Sequence, residues 1–386
     1  MKILAINAGS STVKFQLFEM PEEKVLVQGM FEEIVGAYMY GLKTDTEKFE
    51  KRVRIINDTI VNYLIRDLIE RNIIKDVSEI IAIGHRVVHG GEKYLKPVLI
   101  DDEVIEDIKK YIPLAPIHNP ANLEGIRAFQ NINPNAKMVA VFDTSFHQTL
   151  HPVEYIFPVP FEWFQDLKIR KYGFHGISHQ YLTEKASEVI GRNKKIIICH
   201  LGSGSSVSAV KNGISVNTSM SFTPNSGLIM ETRSGDLDFT IIPYVMKQTN
   251  QTFEQVIEIL NNESGLLGLS GYRDLRELEK EVVKNNRRAM LAYHKFINAI
   301  VAYIAQYYVF LEGIDAIVFS GGIGEHAPVV RDDIIRKLNV FDVKLDDSAN
   351  FNNELRINQR KSKIQVLVIP TNEELMIAKE TYRLIR

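Results

Sequence analysis

The 386-residue chain is short of several things, and each shortage excludes a class of protein. It holds one cysteine, Cys199, so no internal disulfide framework can form and a reducing cytosol is the expected setting. That cysteine stands in KKIIICHLG, where a small buried strand residue is expected over a reactive thiol. Neither sign of charge is in excess: 46 Lys and Arg against 48 Asp and Glu give a formal net charge of −2. That balance offers no electrostatic case for nucleic acid or an anionic membrane, so any bound anion must be held by local groups. The opening apolar run ends at Ile6, far short of the core of a secretion signal. Residues 289–311, AMLAYHKFINAIVAYIAQYYVFL, approach bilayer length but include His294, Lys295, Asn298 and Gln306. A buried or dimer-forming helix is expected there in place of a membrane span.

What is present is an ordinary globular composition, 45% hydrophobic and 24% charged, in a chain long enough for two domains. Short apolar runs end abruptly in small or polar residues: ILAIN, IIAIGHR, KMVAVFD, KIIICHLG, AIVFSGG and KIQVLVIPTN. These read as buried strands whose carboxyl ends feed loops. Amphipathic stretches at 59–72, 254–262 and 274–305 separate them, an α/β alternation that places ligands beyond the strand ends. A faint repeat joins ILAINAGSSTVKFQLF at the start to IIICHLGSGSSVSAV at 196–210. Each is strand, Gly/Ser turn, strand. Two such hairpins half a chain apart suggest homologous domains, each offering one turn to a nucleotide; coincidence is the alternative, since the motif is common.

The first turn spends five small or polar residues where a hairpin needs two. Gly9 admits backbone amides to an anion, Ser10, Ser11 and Thr12 add hydroxyls, Asn7 ends the strand and Lys14 adds charge. The plain alternative is a tight turn with a solvated lysine. FSGGIGEHAP at 319–328 follows a strand and opens a helix, VVRDDIIRKL, which favours a nucleotide phosphate or ribose. Arg86 in GHRVVHGG and Arg233 in METRSGD carry forks that fit carboxylate and phosphate, or make surface ion pairs. Asp143 after KMVAVF is a turn cap or a site carboxylate. His118 precedes Asn119-Pro120, read as a helix cap with proline at the first helical position. His175 in KYGFHGISH is a packed histidine or a site residue. Glu373 follows a Thr-Asn cap, where the helix dipole alone would favour it.

Taken together, INAGSSTVKFQLFEM, GHRVVHGGEKY, PLAPIHNPAN, VFDTSFHQT, RKYGFHGISH, TRSGDLD and PTNEELMIAKET resemble the acetate kinase family along essentially the whole chain. The resemblance implies the acetate and sugar kinase, Hsp70 and actin superfamily. That means an α/β fold of two duplicated ribonuclease-H-like, actin-like ATPase domains of βββαβαβα topology with a nucleotide cleft between them, and a homodimer. The domains expected are 1–146, with a C-terminal helix at 372–386 packing back on it, and 147–371. The implied catalytic residues are Arg86, Asp143, His175 and Arg233. Implied metal and phosphate contacts are Asn7, Ser10, Thr12, Lys14 and Glu373. His118 matches a further site histidine. The acetate methyl pocket maps to Val88, Ile117, Phe174 and Pro224. The nucleotide loops map to His200, Gly202, Ser203 and Gly204, to Asp274, Leu275 and Arg276, and to Gly322, Ile323, Gly324, Glu325 and His326.

Departures from the family pattern gather on the phosphoryl-donor side. HLGNG is here HLGSG, MGTRSG is METRSG and GIGEN is GIGEH, which introduces Ser203, Glu231 and His326, and the stretch before Asp274 is one residue shorter. The implied reaction is ATP + acetate ⇌ ADP + acetyl phosphate, by direct in-line transfer, with Mg²⁺ (or Mn²⁺) in a cytoplasmic enzyme. Acetate is already ionised at neutral pH, so the obstacle is repulsion between anions, and positioning with charge stabilisation should supply catalysis. Arg86 and Arg233 are assigned to acetate and the phosphoryl group, His175 to its equatorial oxygens, and Asp143, Glu373 and, through water, Asn7 to the metal. Propionate kinase, or a short-chain acyl kinase with another donor, is the nearest alternative. A non-catalytic actin- or Hsp70-like ATPase would leave GHRVVHGGE and RKYGFHGISH without a reason.

Overall fold

A computed structural model describes residues 1–9, 12–55, 59–116 and 118–386. Ser10 and Ile117, both expected at the site, lie outside the described residues. The chain divides into two units, one of residues 1–146, 176–178 and 372–386, the other of 147–175 and 179–371.

The first unit is built on β1 (Lys2–Ala8), β2 (Thr12–Glu19), β3 (Lys24–Ile34), β4 (Ala37–Lys43), β5 (Lys48–Val53), β6 (Ile80–Val87), β7 (Val98–Leu99) and β8 (Lys137–Phe142). They form one sheet in the order β5-β4-β3-β2-β1-β6-β8-β7. β1 to β5 run as an antiparallel meander, while β1, β6 and β8 are parallel. Alternate residues of a strand point to opposite faces, and both faces of β1 and β6 are covered, which is why these strands read as unbroken apolar runs. Leu4, Ile6 and Ile83 pack with Val61, Leu64 and Phe129, from the helices Ile60–Glu70 and Asn119–Ile132. The helix Glu373–Ile385 covers the other face at β1 and β6. Gly84 makes that seat: a Cβ there would lie 2.2 Å from Thr381 Oγ1 and 2.6 Å from Ile377 Cγ2.

The second unit holds β9 (Lys195–Leu201), β10 (Ser205–Lys211), β11 (Ile214–Thr218), β12 (Ala316–Ser320) and β13 (Gln365–Val368), ordered β11-β10-β9-β12-β13. Set beside β3-β2-β1-β6-β8, the plan is the same. A hairpin carries a third antiparallel strand on one side and two parallel strands on the other. The repeat seen in the two Gly/Ser hairpins is thus a repeat of topology.

Two sequence expectations change in detail. The stretch 274–305 is two helices, Leu275–Val283 and Arg287–Phe310, because Asn285 turns left-handed at φ 61° and the Asn286 side chain caps the second helix. The apolar stripe of Arg287–Phe310, including Ala289, Phe296, Ile300 and Ile304, lies in its own unit's core. Among the described residues no helix is long and apolar enough to cross a membrane. Asn119 is the first residue of its helix, not its cap; His118 occupies the cap position with no side-chain cap bond. The buried peptide group of His89 takes the Asn119 side chain instead, as donor of one hydrogen bond (3.2 Å) and acceptor of another (3.1 Å).

Candidate active site

In the first unit the ends of β1, β6 and β8 and the start of the C-terminal helix assemble one connected polar network. Arg86 donates through Nε to Asp143 Oδ1 (3.1 Å) and Oδ2 (3.0 Å), and through Nη2 to Oδ2 (2.6 Å). Its Nη1 donates to Asn7 Oδ1 (2.8 Å). Asn7 Nδ2 donates in turn to Glu373 Oε2 (2.9 Å) and Glu374 Oε1 (3.1 Å). Arg86 and Asp143, 57 residues apart in sequence, are therefore a partly buried charge pair. Burial opposes the Arg86 charge, but Asp143, Glu373 and Glu374 together outweigh it and hold the guanidinium above the ordinary arginine value. Burial pushes the Asp143 carboxyl above the usual carboxylate range despite Arg86, and Glu373 adds to that. Glu374 is raised by burial and then by its neighbour Glu373. Asn372 caps the helix by accepting from the Leu375 amide, so the dipole favours both glutamates.

Carboxyls pushed up by burial and mutual repulsion are what an added cation relieves, and the donor set is oxygen, which suits magnesium. Among the described residues there is no group of three or more His, Cys, Asp or Glu side chains able to hold a metal by themselves. Asn7 and Glu373 would supply a few ligands and leave the rest to water and phosphate. Lys14 lies opposite Asn7 in the β1–β2 ladder, exposed, and the Gly9 amide closes the turn on the Thr12 carbonyl at 2.7 Å. Val88 is buried; its amide donates to Asn122 Oδ1 (3.1 Å), while Asn122 Nδ2 donates to the Ala8 carbonyl (2.9 Å). One asparagine thus ties the Val88 loop to the first hairpin.

In the second unit His175 stands at the start of the helix Gly176–Ile190 with φ 58°, a left-handed backbone that a non-glycine residue adopts only when its surroundings enforce it. His175, Arg233 and the turn Gly202–Ser203–Gly204 converge. A Cβ on Gly204 would lie 3.3 Å from His175 Cε1 and Nε2 and 3.5 Å from Arg233 Nη1. Arg233 Nη1 donates to the Pro224 carbonyl (3.1 Å). The His200 ring is 4.5 Å from that of His175. Phe174 is fully buried, and its carbonyl is 3.1 Å from His147 Nε2.

The glycine loops meet: a Cβ on Gly202 would be 3.8 Å from the Gly322 amide. Gly321, at φ 76°, has no room for a side chain, since a Cβ would lie 2.5 Å from the Leu201 carbonyl. Residues 321–326 are themselves a short helix, with Glu325 Oε1 accepting from the amides of Gly321 (2.9 Å) and Thr371 (3.1 Å). Ile323 and Gly324 are buried and His326 exposed. The fully buried Arg331 donates to the carbonyls of Gly324 (2.8 Å) and Glu325 (3.0 Å), fixing the end of that helix. Asp274 caps the helix Leu275–Val283 and pairs with Arg276, while Leu275 is buried. Of the unusual residues, Glu231 is met by Arg273 at 3.4 Å and donates its amide to the Ser203 carbonyl (3.3 Å). Burial raises its carboxyl and Arg273 draws it down.

Sequence reading passed over Asn122, Arg331, Ser206 and His179. His179 alone gave a signal, standing four residues beyond His175 in FHGISH, the spacing that puts two side chains on one helical face.

The Acetokinase family model matches residues 2–379. The chain is 48% identical to the acetate kinase of Geobacillus sp. (strain WCH70), over 99% of this chain and 98% of that one. It is similar in structure to a propionate kinase from Francisella tularensis subsp. tularensis SCHU S4, with TM-score 0.93, 40% identity and 99% of each chain covered. It is likewise similar to Porphyromonas gingivalis acetate kinase, with TM-score 0.92, 37% identity and 100% of each chain covered.

Proposed function

The chain belongs to the acetokinase family, and from that membership we propose how its residues divide the work of a phosphotransferase with a carboxyl acceptor. The activity is that of an acetate kinase: phosphoryl transfer between ATP and acetate, with ADP and acetyl phosphate on the other side of a reversible reaction. The observation that carries the assignment of roles is the convergence of His175 and Arg233 on the space left open by Gly204. A turn without a side chain there gives an anion room between a fixed cation and an imidazole edge.

Arg233 stabilises the charge on the transferring group, and His175 donates to its equatorial oxygens. Arg86 orients acetate, held in place by its fork on Asp143 and its bond to Asn7. Val88, Phe174 and Pro224 are assigned to the acetate methyl, and His118 to acetate binding. Thr12, Lys14, Gly202, Ser203, Gly204, Asp274, Arg276 and the segment Gly322–His326 are assigned to the nucleotide. A divalent cation, Mg²⁺ by the oxygen character of its neighbours, would be held by Asn7 and Glu373 and offset the charge of the donor phosphates. Since Glu231 already faces Arg273, the donor side is compatible with ATP.

A cytoplasmic homodimer is the assembly we favour. The helix Arg287–Phe310 does not support it, since its apolar stripe is spent internally. Leu237, Phe239, Ile241 and Tyr244 do: all are exposed, Phe239 by 80%. A hydroxamate assay for acetyl phosphate, run with ATP, other nucleotides and pyrophosphate against acetate, propionate and butyrate, tests the function. Acetate with ATP should give the highest kcat/KM; no acyl phosphate with any pair would overturn it.

A further inference from the structure

Ser206, fully buried on β10, places its hydroxyl between two histidines. Its Oγ is 3.0 Å from His175 Nδ1 and 2.8 Å from His179 Nε2. A serine hydroxyl has one proton, so it can donate to only one of these rings and must accept from the other. Which way it points is decided on the far side of His179. That ring is fully buried, and its Nδ1 has no hydrogen-bond partner. The rings facing it are those of His147, at 5.6 Å, and His200, at 6.4 Å. Burial, and then His147 and His200, hold His179 well below the ordinary histidine pKa, so it is neutral and carries its one proton on one nitrogen.

A proton on Nδ1 would be a buried N–H without an acceptor, the rarer and costlier defect; a bare lone pair there is better tolerated. The proton therefore sits on Nε2 and is given to Ser206 Oγ, which leaves the serine proton for His175 Nδ1. His175 then has Nδ1 occupied as an acceptor and its own proton on Nε2. That edge is the one facing Gly204 and Arg233 Nη1.

We infer that His179 and Ser206 form a hydrogen-bond relay that fixes His175 in the Nε2–H tautomer, with its donor aimed at the phosphoryl site. Both are positioning residues and touch no substrate. The inference deepens the role proposed for His175 and rests on it only for its consequence in turnover; the proton order stands on the hydrogen-bond geometry around Ser206 and on the neutrality of the buried His179 ring.

The test is a long-range ¹H–¹⁵N correlation spectrum of the full-length protein labelled in its histidine rings, with His175 and His179 assigned from single variants. Both rings should show a protonated Nε2 and a bare Nδ1. A proton on Nδ1 of either ring overturns the relay. Ser206→Ala should let His175 populate both tautomers and lower kcat by on the order of ten-fold, while KM for acetate moves less than about two-fold. A single unchanged tautomer in that variant counts against the relay, as does an unchanged kcat when His175→Ala is itself impaired. His179→Gln, whose amide can donate to Ser206, should restore the single tautomer that His179→Leu loses; equal spectra for the two would refute the relay. Should His179→Leu not fold, the wild-type spectrum and Ser206→Ala decide. If the tautomers are as stated but His175→Ala turns over normally, the role of His175 fails and the relay does not.

Discussion

At the scale of single residues, the site depends as much on missing side chains as on present ones. Gly204 is not in a left-handed conformation, so alanine there meets no backbone strain, only space. Its methyl would sit 3.3 Å from the His175 ring, tight enough to move that ring by a few tenths of an ångström, and in ordinary contact with Arg233 at 3.5 Å. Gly204→Ala should therefore lower kcat by on the order of ten-fold with little change in thermal midpoint, since small misplacements of reacting groups are amplified in rate. Normal turnover would remove these groups from the phosphoryl site. Val88 makes the converse case. It is 3% exposed and its amide is fixed by Asn122, so at the acetate pocket proposed for it Val88→Ala would open space without moving the backbone. The ratio of propionate to acetate kcat/KM should rise, by no more than ~1–3 kcal/mol for the added methylene. An unmoved ratio would show that Val88 does not line it.

At the scale of elements, legibility in the sequence followed burial. The strands at 2–8, 80–87, 137–142, 195–201, 316–320 and 365–368 announced themselves because they are buried along most of their length on both faces, which demands nearly unbroken apolar runs. β5, KFEKRV, alternates exposed with half-buried positions and is mostly charged, β3 and β4 are buried at only a few positions each, and none of the three gave a clear signal. Arg86 and Asp143 were each legible as site candidates, but not as partners, because pairing across parallel strands is set by sheet order and not by spacing. The relay through Ser206 was invisible for the same reason: β10 comes to the helix Gly176–Ile190 only in the fold. The C-terminal helix shows how an element carries function at a distance. Gly84 lets it seat on β6, and its first turn presents Glu373 and Glu374 to Asn7. Gly84→Ala would drive a methyl into Thr381 and Ile377, an overpacking that costs about 1–3 kcal/mol. The thermal midpoint should fall, and the Mg²⁺ concentration needed for half-maximal rate should rise as Glu373 shifts. A loss of stability with unchanged Mg²⁺ dependence would separate the helix from the metal site.

At the scale of the whole molecule, both units store histidines that must stay neutral. In the first, burial pushes His85 and His89 down to about 3. In the second, burial takes His147 to about 4 and His179 well below its ordinary value. The unfolded chain protonates these rings near the ordinary value of about 6.5, while the folded chain does not. Below that point the unfolded state binds more protons, so stability must fall as pH drops, and each ring contributes about 1.4 kcal/mol per pH unit until its folded value is reached. Four rings acting together make the folded protein markedly acid-sensitive above about pH 5, before most carboxylates begin to titrate. Denaturant unfolding between about pH 7 and pH 5 should show that slope. His85 is the cleanest probe, because its Nε2 has no hydrogen-bond partner and its ring packs on Phe129. His85→Leu should flatten the slope by the share of one proton, whatever it does to stability at neutral pH. A wild-type stability that stays level across that interval, or a His85→Leu slope equal to the parent's, would mean the buried rings do take up protons in the folded state.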